Sequence, residues 1–274
     1  MIQRKAVQMS DTSNLLAEQR RALILDEVRR RGGVRVNELT QRLNVSDMTI
    51  RRDLDALART GAVEKVHGGA VAPGAPLAHE PGFEAKSSLE PSAKEQIARA
   101  AAALVTPGSA IALSGGTTTY ALARHLLEIE RLTVVTNSVP VSEVFERARR
   151  QGTGADTTVI LTGGVRTPSD ALVGPVADRA IRSLRFDLLF LGAHGLSAEA
   201  GLSTPNLAEA ETNRALIDSA RRTVVVADHT KWGVVALSTI APLSAVDSWV
   251  TDPGLPSPAA AEARTQLREL LVAD

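Results

Sequence analysis

The sequence predicts two domains, a small winged helix-turn-helix followed by an α/β domain built on a mostly parallel sheet. Within residues 18–72, three short amphipathic segments are separated by breaks of a few residues, which is the outline of a helix-turn-helix. After residue 94, short β-branched apolar runs alternate with helix-like stretches, a pattern typical of parallel strands covered on both faces. We assign residues 1–17 to a flexible leader, 73–93 to a linker and 94–274 to the α/β domain.

The composition excludes several kinds of chemistry. The 274 residues include no cysteine, so the chain has no disulfide, thiolate zinc site or cysteine nucleophile. No apolar run reaches about 18 residues, and residues 1–17 lack the apolar middle of a signal peptide, so we expect a cytoplasmic protein. The 31 basic and 31 acidic residues balance, and the 13 basic against 9 acidic residues of 1–72 are too mild an excess to indicate nucleic acid.

The third of the N-terminal helices carries the residues that would face DNA, and it follows predicted helices at 18–31 and 37–43. Ser46 is expected to cap this third helix, because its hydroxyl can accept a hydrogen bond from a backbone N–H of the first turn. Ile50, Leu54 and Leu57 form its predicted buried face, so the opposite face can enter the major groove. The residues predicted to face DNA are Ser46, Met48, Thr49, Arg51 and Arg52.

Residues 62–70 alternate apolar and polar side chains and then turn on two glycines, which predicts a two-stranded hairpin, the wing. Lys65, His67 and Gly68 are predicted to lie near the DNA backbone. Exposed arginines are usually only solvated. The pattern alone therefore leaves open the alternative of a three-helix unit that binds no DNA. Asp53 and Asp55 are expected to be surface ion-pair partners rather than readers of bases.

Three segments of this module are distinctive, namely VSDMTIRRDL at residues 45–54, Gly61, and HGGA at residues 67–70. Together they resemble the signature of the DeoR family of bacterial transcription regulators. The resemblance implies that Thr49, Arg51 and Arg52 lie at the DNA, with the glycine-containing wing beside them.

The rest of the chain divides into a linker and the α/β domain. Four prolines within residues 73–93 are expected to break any regular element, which predicts a partly extended, semi-stiff linker. The predicted strands are 110–113, 132–135, 158–161, 188–191, 223–227 and 249–250. The predicted helices are 95–104, 120–127, 141–150, 177–184 and 208–220. Residues 256–274, with Leu267, Leu270 and Leu271, are expected to form a terminal helix that packs on the sheet or on a partner subunit.

Polar, glycine-rich segments follow the predicted strands. Ligands of such sheets bind at the carboxyl ends of the strands, so we expect a pocket there. The first segment, SGGTTT at 114–119, runs into a helix whose N–H groups and dipole, together with the threonine hydroxyls, suit a phosphate. It matches neither a Walker loop nor GxGxxG, so no nucleotide is indicated. The other segments are Thr136-Asn137-Ser138, Thr162-Gly163-Gly164, Gly192-Ala193-His194-Gly195 and Asp228-His229-Thr230-Lys231.

Lys231 is the single lysine after residue 94, in a chain with 26 arginines and 5 lysines. A lysine just past a strand end suits a phosphate or a sugar oxygen, although an ordinary surface lysine stays open. His194 and His229 are either ligand contacts or turn residues. No cluster has the spacing of a metal site, and we predict neither a metal nor a cofactor.

The α/β domain extends the resemblance to the DeoR family, whose effector domain has similar strings at these strand ends and at Glu209 and Arg214. That domain is Rossmann-like and similar in fold to ribose-5-phosphate isomerase, a phosphosugar isomerase. The resemblance implies a homo-oligomer, dimer or tetramer, that represses sugar or polyol catabolism genes and releases its DNA operator when a phosphorylated sugar or polyol binds. The predicted effector-binding residues are Ser114, Gly116, Thr117, Thr118, Thr119, Asn137, Gly164, Gly195, Glu209 and Lys231.

An isomerase is the main alternative to a regulator. Isomerisation of a sugar phosphate needs a general base, usually a carboxylate, and the isomerases carry acidic residues after the fourth strand. Residues 192–197 contain none, although Asp228 stays open as a base. We therefore expect no catalytic residues and no enzyme activity. An activator, or a repressor with an unphosphorylated effector, also stays open.

Overall fold

The computed structural model describes residues 17–31, 33–66, 69–71 and 82–274. The chain forms two compact units, Met1–Pro76 and Leu77–Asp274. Among the described residues, no helix is long and apolar enough to cross a membrane.

Three helices build the N-terminal unit: α1 (Ala17–Arg31), α2 (Val36–Leu43) and α3 (Asp47–Arg59). Wherever the sequence predicted the end of a helix, the observed end lies within one residue of it. Apolar side chains at helical spacing close their shared core, because each helix turns one face inward. The helix residues of this core are Ile24, Val28, Val36, Leu39, Leu43, Ile50, Leu54 and Leu57.

A three-stranded antiparallel sheet completes this unit. Strands β2 (Glu64–Val66) and β3 (Gly69–Val71) form the predicted hairpin, and β1 (Gly33–Arg35) pairs with the other side of β3. The sequence predicted no strand at β1, because Gly33 was interpreted only as the end of α1. The pairing that makes it a strand joins Gly33 to Val71, far along the chain.

The second unit is a parallel sheet flanked by helices. Its strands are β4 (Ala110–Leu113), β5 (Leu132–Thr136), β6 (Thr157–Leu161), β7 (Val165–Arg166), β8 (Leu172–Val173), β9 (Phe186–Leu191), β10 (Gly195–Ser197), β11 (Gly201–Thr204), β12 (Ala220–Val226), β13 (Ser238–Ala241), β14 (Ser248–Thr251) and β15 (Glu269–Val272). Its helices are α4 (Phe83–Ser87), α5 (Pro91–Ala102), α6 (Thr117–His125), α7 (Val139–Gln151), α8 (Pro175–Arg182), α9 (Leu207–Ser219) and α10 (Ser257–Arg264).

Seven strands form the main sheet in the order β15-β14-β12-β9-β4-β5-β6, and every neighbouring pair is parallel. Successive side chains of a strand enter different cores, because they point to opposite faces of the sheet. Ile111 and Leu113 pack against α5, α6 and α7, whereas Ala112 belongs to the core that α8, α9 and α10 cover. This two-sided burial confirms the predicted mostly parallel α/β architecture.

Several parts of this unit differ from the sequence prediction. The helix expected at 95–104 begins at Pro91, and α4 also lies within the range predicted as a linker. Proline was interpreted as a breaker, but at the first position of a helix its missing N–H costs nothing. A small antiparallel sheet, β10-β11-β13, was not predicted.

The predicted C-terminal helix is wrong beyond residue 264. The chain leaves α10 and adds β15 to the edge of the main sheet, where Leu270 and Leu271 pair with Trp249 and Val250 of β14. Leu267 is buried in the connection between the two elements. Leucines whose spacing fits one face of a helix therefore belong to a strand here. The reason is that the open edge of β14 supplies hydrogen-bond partners that the local sequence does not reveal.

Candidate nucleic-acid interface and ligand cleft

Helix α3 starts at a side-chain cap, as predicted. Ser46 has extended backbone angles, and its Oγ accepts a hydrogen bond from the Thr49 backbone N–H at 3.3 Å. The Thr49 hydroxyl lies 2.8 Å from the same oxygen. The predicted buried residues Ile50, Leu54 and Leu57 face the core, so the first turn of α3 presents its other face outward.

The outward face of α3 carries one apolar and two basic side chains. Met48 is 59% exposed, and both Arg51 and Arg52 are exposed. Arg51 Nε donates to Asp47 Oδ1 at 2.5 Å, and this hydrogen bond raises the pKa of the guanidinium. The guanidinium of Arg52 makes no hydrogen bond or ion pair with any residue that the structure describes. The two arginines therefore differ, since only Arg51 would have to leave a partner to bind a phosphate or a base.

Asp53 is correctly predicted as an ion-pair partner, but not as a surface one. Only 5% of it is exposed, and its Oδ2 lies 2.5 Å from Arg20 Nε on α1. The pair ties α1 to α3 across the core. Asp55 is half-buried and also has an interaction partner.

The predicted contacts of the wing lie largely outside the described residues. The backbone of Lys65 belongs to β2, but its side chain is not described, and His67 and Gly68 are not described at all. Their contacts with DNA stay predictions.

A cleft lies at the carboxyl ends of the main strands, where the sequence predicts a pocket. Gly116, Thr117 and Thr118 after β4, Gly192 after β9 and Lys231 after β12 line it. Glu209 of α9 lines it as well. The structure thus brings together five of the ten residues predicted to bind the effector, namely Gly116, Thr117, Thr118, Glu209 and Lys231.

Three other predicted residues support the cleft from behind rather than line it. Asn137 is 2% exposed; its Oδ1 accepts from the Gly115 N–H at 2.9 Å, and its Nδ2 donates to the Leu172 carbonyl at 3.1 Å. The Ser114 Oγ accepts from the Gly192 N–H at 2.9 Å. Thr119 Oγ1 donates to the Ser114 carbonyl at 2.7 Å. These buried bonds fix the loop that follows β4.

The last two predicted residues, Gly164 and Gly195, do not line the cleft. A Cβ on Gly195 would lie 2.2 Å from the Val234 carbonyl oxygen, and one on Gly164 would lie 2.6 Å from the Val173 carbonyl oxygen. Both glycines are required because another backbone segment passes too close for any side chain.

The start of α6 leaves polar groups available. Its N-cap, Gly116, provides no side-chain acceptor for the first N–H groups. Within the part of the chain that the structure describes, the hydroxyls of Thr117 and Thr118 and the ammonium of Lys231 make no hydrogen bond or ion pair. Thr118 is only 7% exposed as a residue, and it lines the cleft.

Two lysines that the sequence analysis missed, Lys86 and Lys94, line the same cleft as Lys231. Lys94 is buried, and its Nζ donates to the Lys86 carbonyl at 2.5 Å and to the Leu89 carbonyl. The scarcity of lysine that singled out Lys231 applies equally to these two. Lys86 was overlooked because residues 73–93 were interpreted as a linker, and Lys94 because it precedes the first predicted strand rather than following one.

Glu209 is held rigidly at the cleft. Its Oε1 accepts from the Thr167 hydroxyl at 2.9 Å and from the Ser169 hydroxyl, and its Oε2 accepts from the Thr204 hydroxyl at 3.1 Å. Arg214, further along α9, instead donates to the Ile240 carbonyl and pairs with Glu211.

The two histidines left open by the sequence differ. His194 lines the cleft, whereas His229 does not. His229 Nδ1 lies 2.7 Å from Asp252 Oδ2, and this hydrogen bond raises the pKa of the imidazole. Asp228, the candidate base of the isomerase alternative, is 1% exposed and caps the short 3-10 helix His229–Lys231. Among the described residues, no cluster of histidine and acidic side chains could hold a metal ion.

Both units match models of one protein family. Residues 20–74 match the DeoR-like helix-turn-helix domain, and residues 90–253 match the DeoR C terminal sensor domain. The chain belongs to the DeoR family. The predicted family and the predicted winged helix-turn-helix followed by an α/β sensor domain are therefore confirmed.

Relatives of this DeoR-family chain span nearly its full length. It is 42% identical to the "Uncharacterized HTH-type transcriptional regulator YgbI" of Escherichia coli strain K12, over 94% of this chain and 99% of that protein. It is 35% identical to the HTH-type transcriptional regulator GlpR of Haloferax volcanii, over 87% and 91%. It is 32% identical to the glycerol-3-phosphate regulon repressor of Escherichia coli strain K12, over 85% and 90%. The chain is a transcription regulator, as predicted, and not an enzyme.

Solved structures resemble the chain more remotely. Ribose 5-phosphate isomerase A of Methanocaldococcus jannaschii is 18% identical over 51% of this chain and 53% of that chain, with a TM-score of 0.35. The beta subunit of eIF2B from Chaetomium thermophilum is 13% identical over 64% and 54%, with a TM-score of 0.40. These values carry no argument about the activity of this chain.

Proposed function

We propose that this DeoR-family regulator represses genes of sugar or polyol catabolism and leaves its operator when a phosphorylated sugar or polyol binds the cleft. The start of α6 carries the proposal. One cleft is lined by the uncapped start of α6, the hydroxyls of Thr117 and Thr118 and the ammonium of Lys231. Among the described residues, these donors have no side-chain partner. A helix N-terminus with nearby hydroxyl and ammonium donors stabilises a phosphate dianion.

The side chains that would receive DNA lie on α3 and in the wing. Arg52 is exposed and available, and Met48 and Thr49 flank it on the first turns. Arg51, Ser46 and the wing residues Lys65, His67 and Gly68 complete the proposed DNA contacts. Relatives named for repression of the glycerol-3-phosphate regulon support the choice of repressor.

Repression and release require coupling between the two units. We place the protein in the cytoplasm as a homo-oligomer, a dimer or tetramer, that offers two helix-turn-helix units to paired half-sites. The effector must bind the arrangement that cannot hold DNA more tightly, since a ligand shifts an equilibrium only by its differential affinity. A coupling of about 1–3 kcal/mol is typical of such proteins.

The test uses duplex DNA selected by the protein from a random pool, and a thermal-shift screen of sugars and polyols with and without phosphate. We expect a phosphorylated compound to raise the melting temperature and to release the selected DNA. Lys231→Ala should bind the same DNA with unchanged affinity but need at least about tenfold more of that compound for release, because the lysine contact with a charged oxygen is lost.

Arg264→Ala, an exposed arginine on α10, is the matched control and should be released like the native protein. Normal release of Lys231→Ala would refute the role of Lys231. Stabilisation by unphosphorylated compounds alone would refute the phosphate.

A further inference from the structure

Asn213 is a second buried amide beside the cleft, and it differs from Asn137. It lies on α9, lines the cleft and is 9% exposed. Asn137 uses both ends of its amide to hold the loop after β4. The side-chain amide of Asn213 makes no hydrogen bond with any residue in the described part of the chain. Its Oδ1 and its Nδ2 are both unused.

The unused amide of Asn213 faces the cleft rather than the closed interior of the protein. Among the described residues, neither of its amide atoms is both fully buried and unpaired, so the amide keeps access to the cleft. A ligand that covers the amide must offer it hydrogen bonds, because an amide left buried and unpaired costs about 1–3 kcal/mol. The amide is thus available to a partner that enters the cleft.

The surroundings of Asn213 indicate which part of a ligand reaches it. Glu209 lies one turn earlier on the same face of α9, and hydroxyls of Thr167, Ser169 and Thr204 fix its carboxylate. A second negative charge beside this carboxylate is unfavourable, whereas hydroxyl groups are not.

The α6 side of the cleft has the opposite character. There Thr118, also unpaired and more than nine-tenths buried, stands beside uncapped N–H groups at a helix N-terminus. An anionic group is therefore favoured at α6, and a neutral polar group at α9. Thr118 and Asn213 line the same cleft, so its two sides suit different parts of one ligand.

We propose that Asn213 binds a hydroxyl group of the effector and sets its specificity for a polyhydroxylated phosphomonoester over a simple phosphate. A hydroxyl both donates and accepts, and a primary amide offers the matching acceptor and donors. This inference rests on the proposed binding of a phosphorylated effector at α6. It adds a residue of α9 that reads the sugar or polyol part.

The test is isothermal titration of the full-length protein with inorganic phosphate, methyl phosphate and a set of three- to six-carbon sugar and polyol phosphates. We expect at least one hydroxylated ester to bind the native protein more tightly than methyl phosphate. Asn213→Ala should weaken that ester about 5- to 10-fold, the effect of one hydrogen bond, and leave methyl phosphate unchanged.

Two further variants control for a loss of stability and for an unspecific effect of substitution on α9. Asn213→Leu keeps the number and branching of the side-chain heavy atoms, and it serves in place of Asn213→Ala if the alanine variant has a lowered melting temperature. It should likewise weaken binding of the hydroxylated ester. Asp218→Ala, an exposed position on the same helix, should bind every ester as the native protein does.

The outcomes separate this inference from the proposed function. If Asn213→Ala binds every ester like the native protein, or weakens methyl phosphate as much as the hydroxylated ester, Asn213 does not read a hydroxyl. If the native protein prefers no hydroxylated ester to methyl phosphate, the inference fails while the phosphate site stands. If no phosphate compound binds the native protein, the proposed function fails with it.

Discussion

Two helix starts, those of α3 and α6, are used in opposite ways. At α3, Ser46 accepts a hydrogen bond from the Thr49 N–H, so the helix satisfies part of its own first turn. At α6, Gly116 contributes no side-chain cap, and the hydroxyl of Thr118 has no partner among the described residues. The protein itself caps the first helix start, whereas the second has no side-chain cap and is available to the proposed ligand.

The difference follows from the shapes of the two expected partners. A helix that enters a DNA groove must protrude from the protein with its first turn capped by the protein itself, and its side chains make the contacts. A small anion is instead enclosed, so backbone N–H groups and short hydroxyls can reach it. The same local feature thus serves a convex surface in one unit and a concave site in the other.

The largest expected effect comes from the support of the α6 loop. Asn137→Ala leaves the Gly115 N–H and the Leu172 carbonyl without partners, so we expect the free energy of unfolding of the α/β unit to fall by about 2–4 kcal/mol. Asn213→Ala, the same substitution at an unpaired amide, should leave the free energy of unfolding unchanged. Urea unfolding followed by the fluorescence of Trp232 and Trp249, both in the α/β unit, compares the two. Equal destabilisation by both variants would contradict the contrast between them.

On the α3 side, we expect the two arginines to contribute unequally to DNA binding. Arg52→Ala should weaken binding to the selected DNA by about 5- to 150-fold, the range of 1–3 kcal/mol for a good base contact. Arg51→Ala should cost less, because Arg51 must first give up its bond to Asp47. Arg59→Ala, exposed in the last turn, is the control. A gel-shift titration in which Arg51→Ala loses as much as Arg52→Ala would overturn this order.

The smallest effect compares the two helix starts directly. Ser46→Ala should lower the free energy of local unfolding of α3 by about 1 kcal/mol, because it removes a cap. Thr118→Val should cost no stability, since its hydroxyl has no partner in the described protein, but should weaken binding of the phosphorylated effector. Hydrogen exchange of α3 and α6 amides measures both. A clear loss of protection in α6 of Thr118→Val would mean that the hydroxyl stabilises the helix after all.

Local patterns predicted the elements whose burial is set by their own periodicity. The stripe of Ile50, Leu54 and Leu57 placed α3, Ser46 marked its start, and the short apolar runs placed the central strands of the main sheet. The SGGTTT segment correctly located the cleft. In each case the information lies within a few neighbouring residues, because side-chain direction repeats with the period of the element.

The sequence by itself therefore determined the two-domain order, the position of helix α3 and the edge of the sheet that carries the cleft. Only the tertiary structure decided that β1 and β15 are strands, since each depends on a neighbouring edge distant in sequence. It likewise decided that the Asn137 side chain hydrogen-bonds to Gly115 and Leu172 and so supports a loop, whereas the Asn213 side chain has no partner among the described residues. Both are asparagines near polar segments, and only their neighbours in space distinguish a structural amide from one available to a ligand.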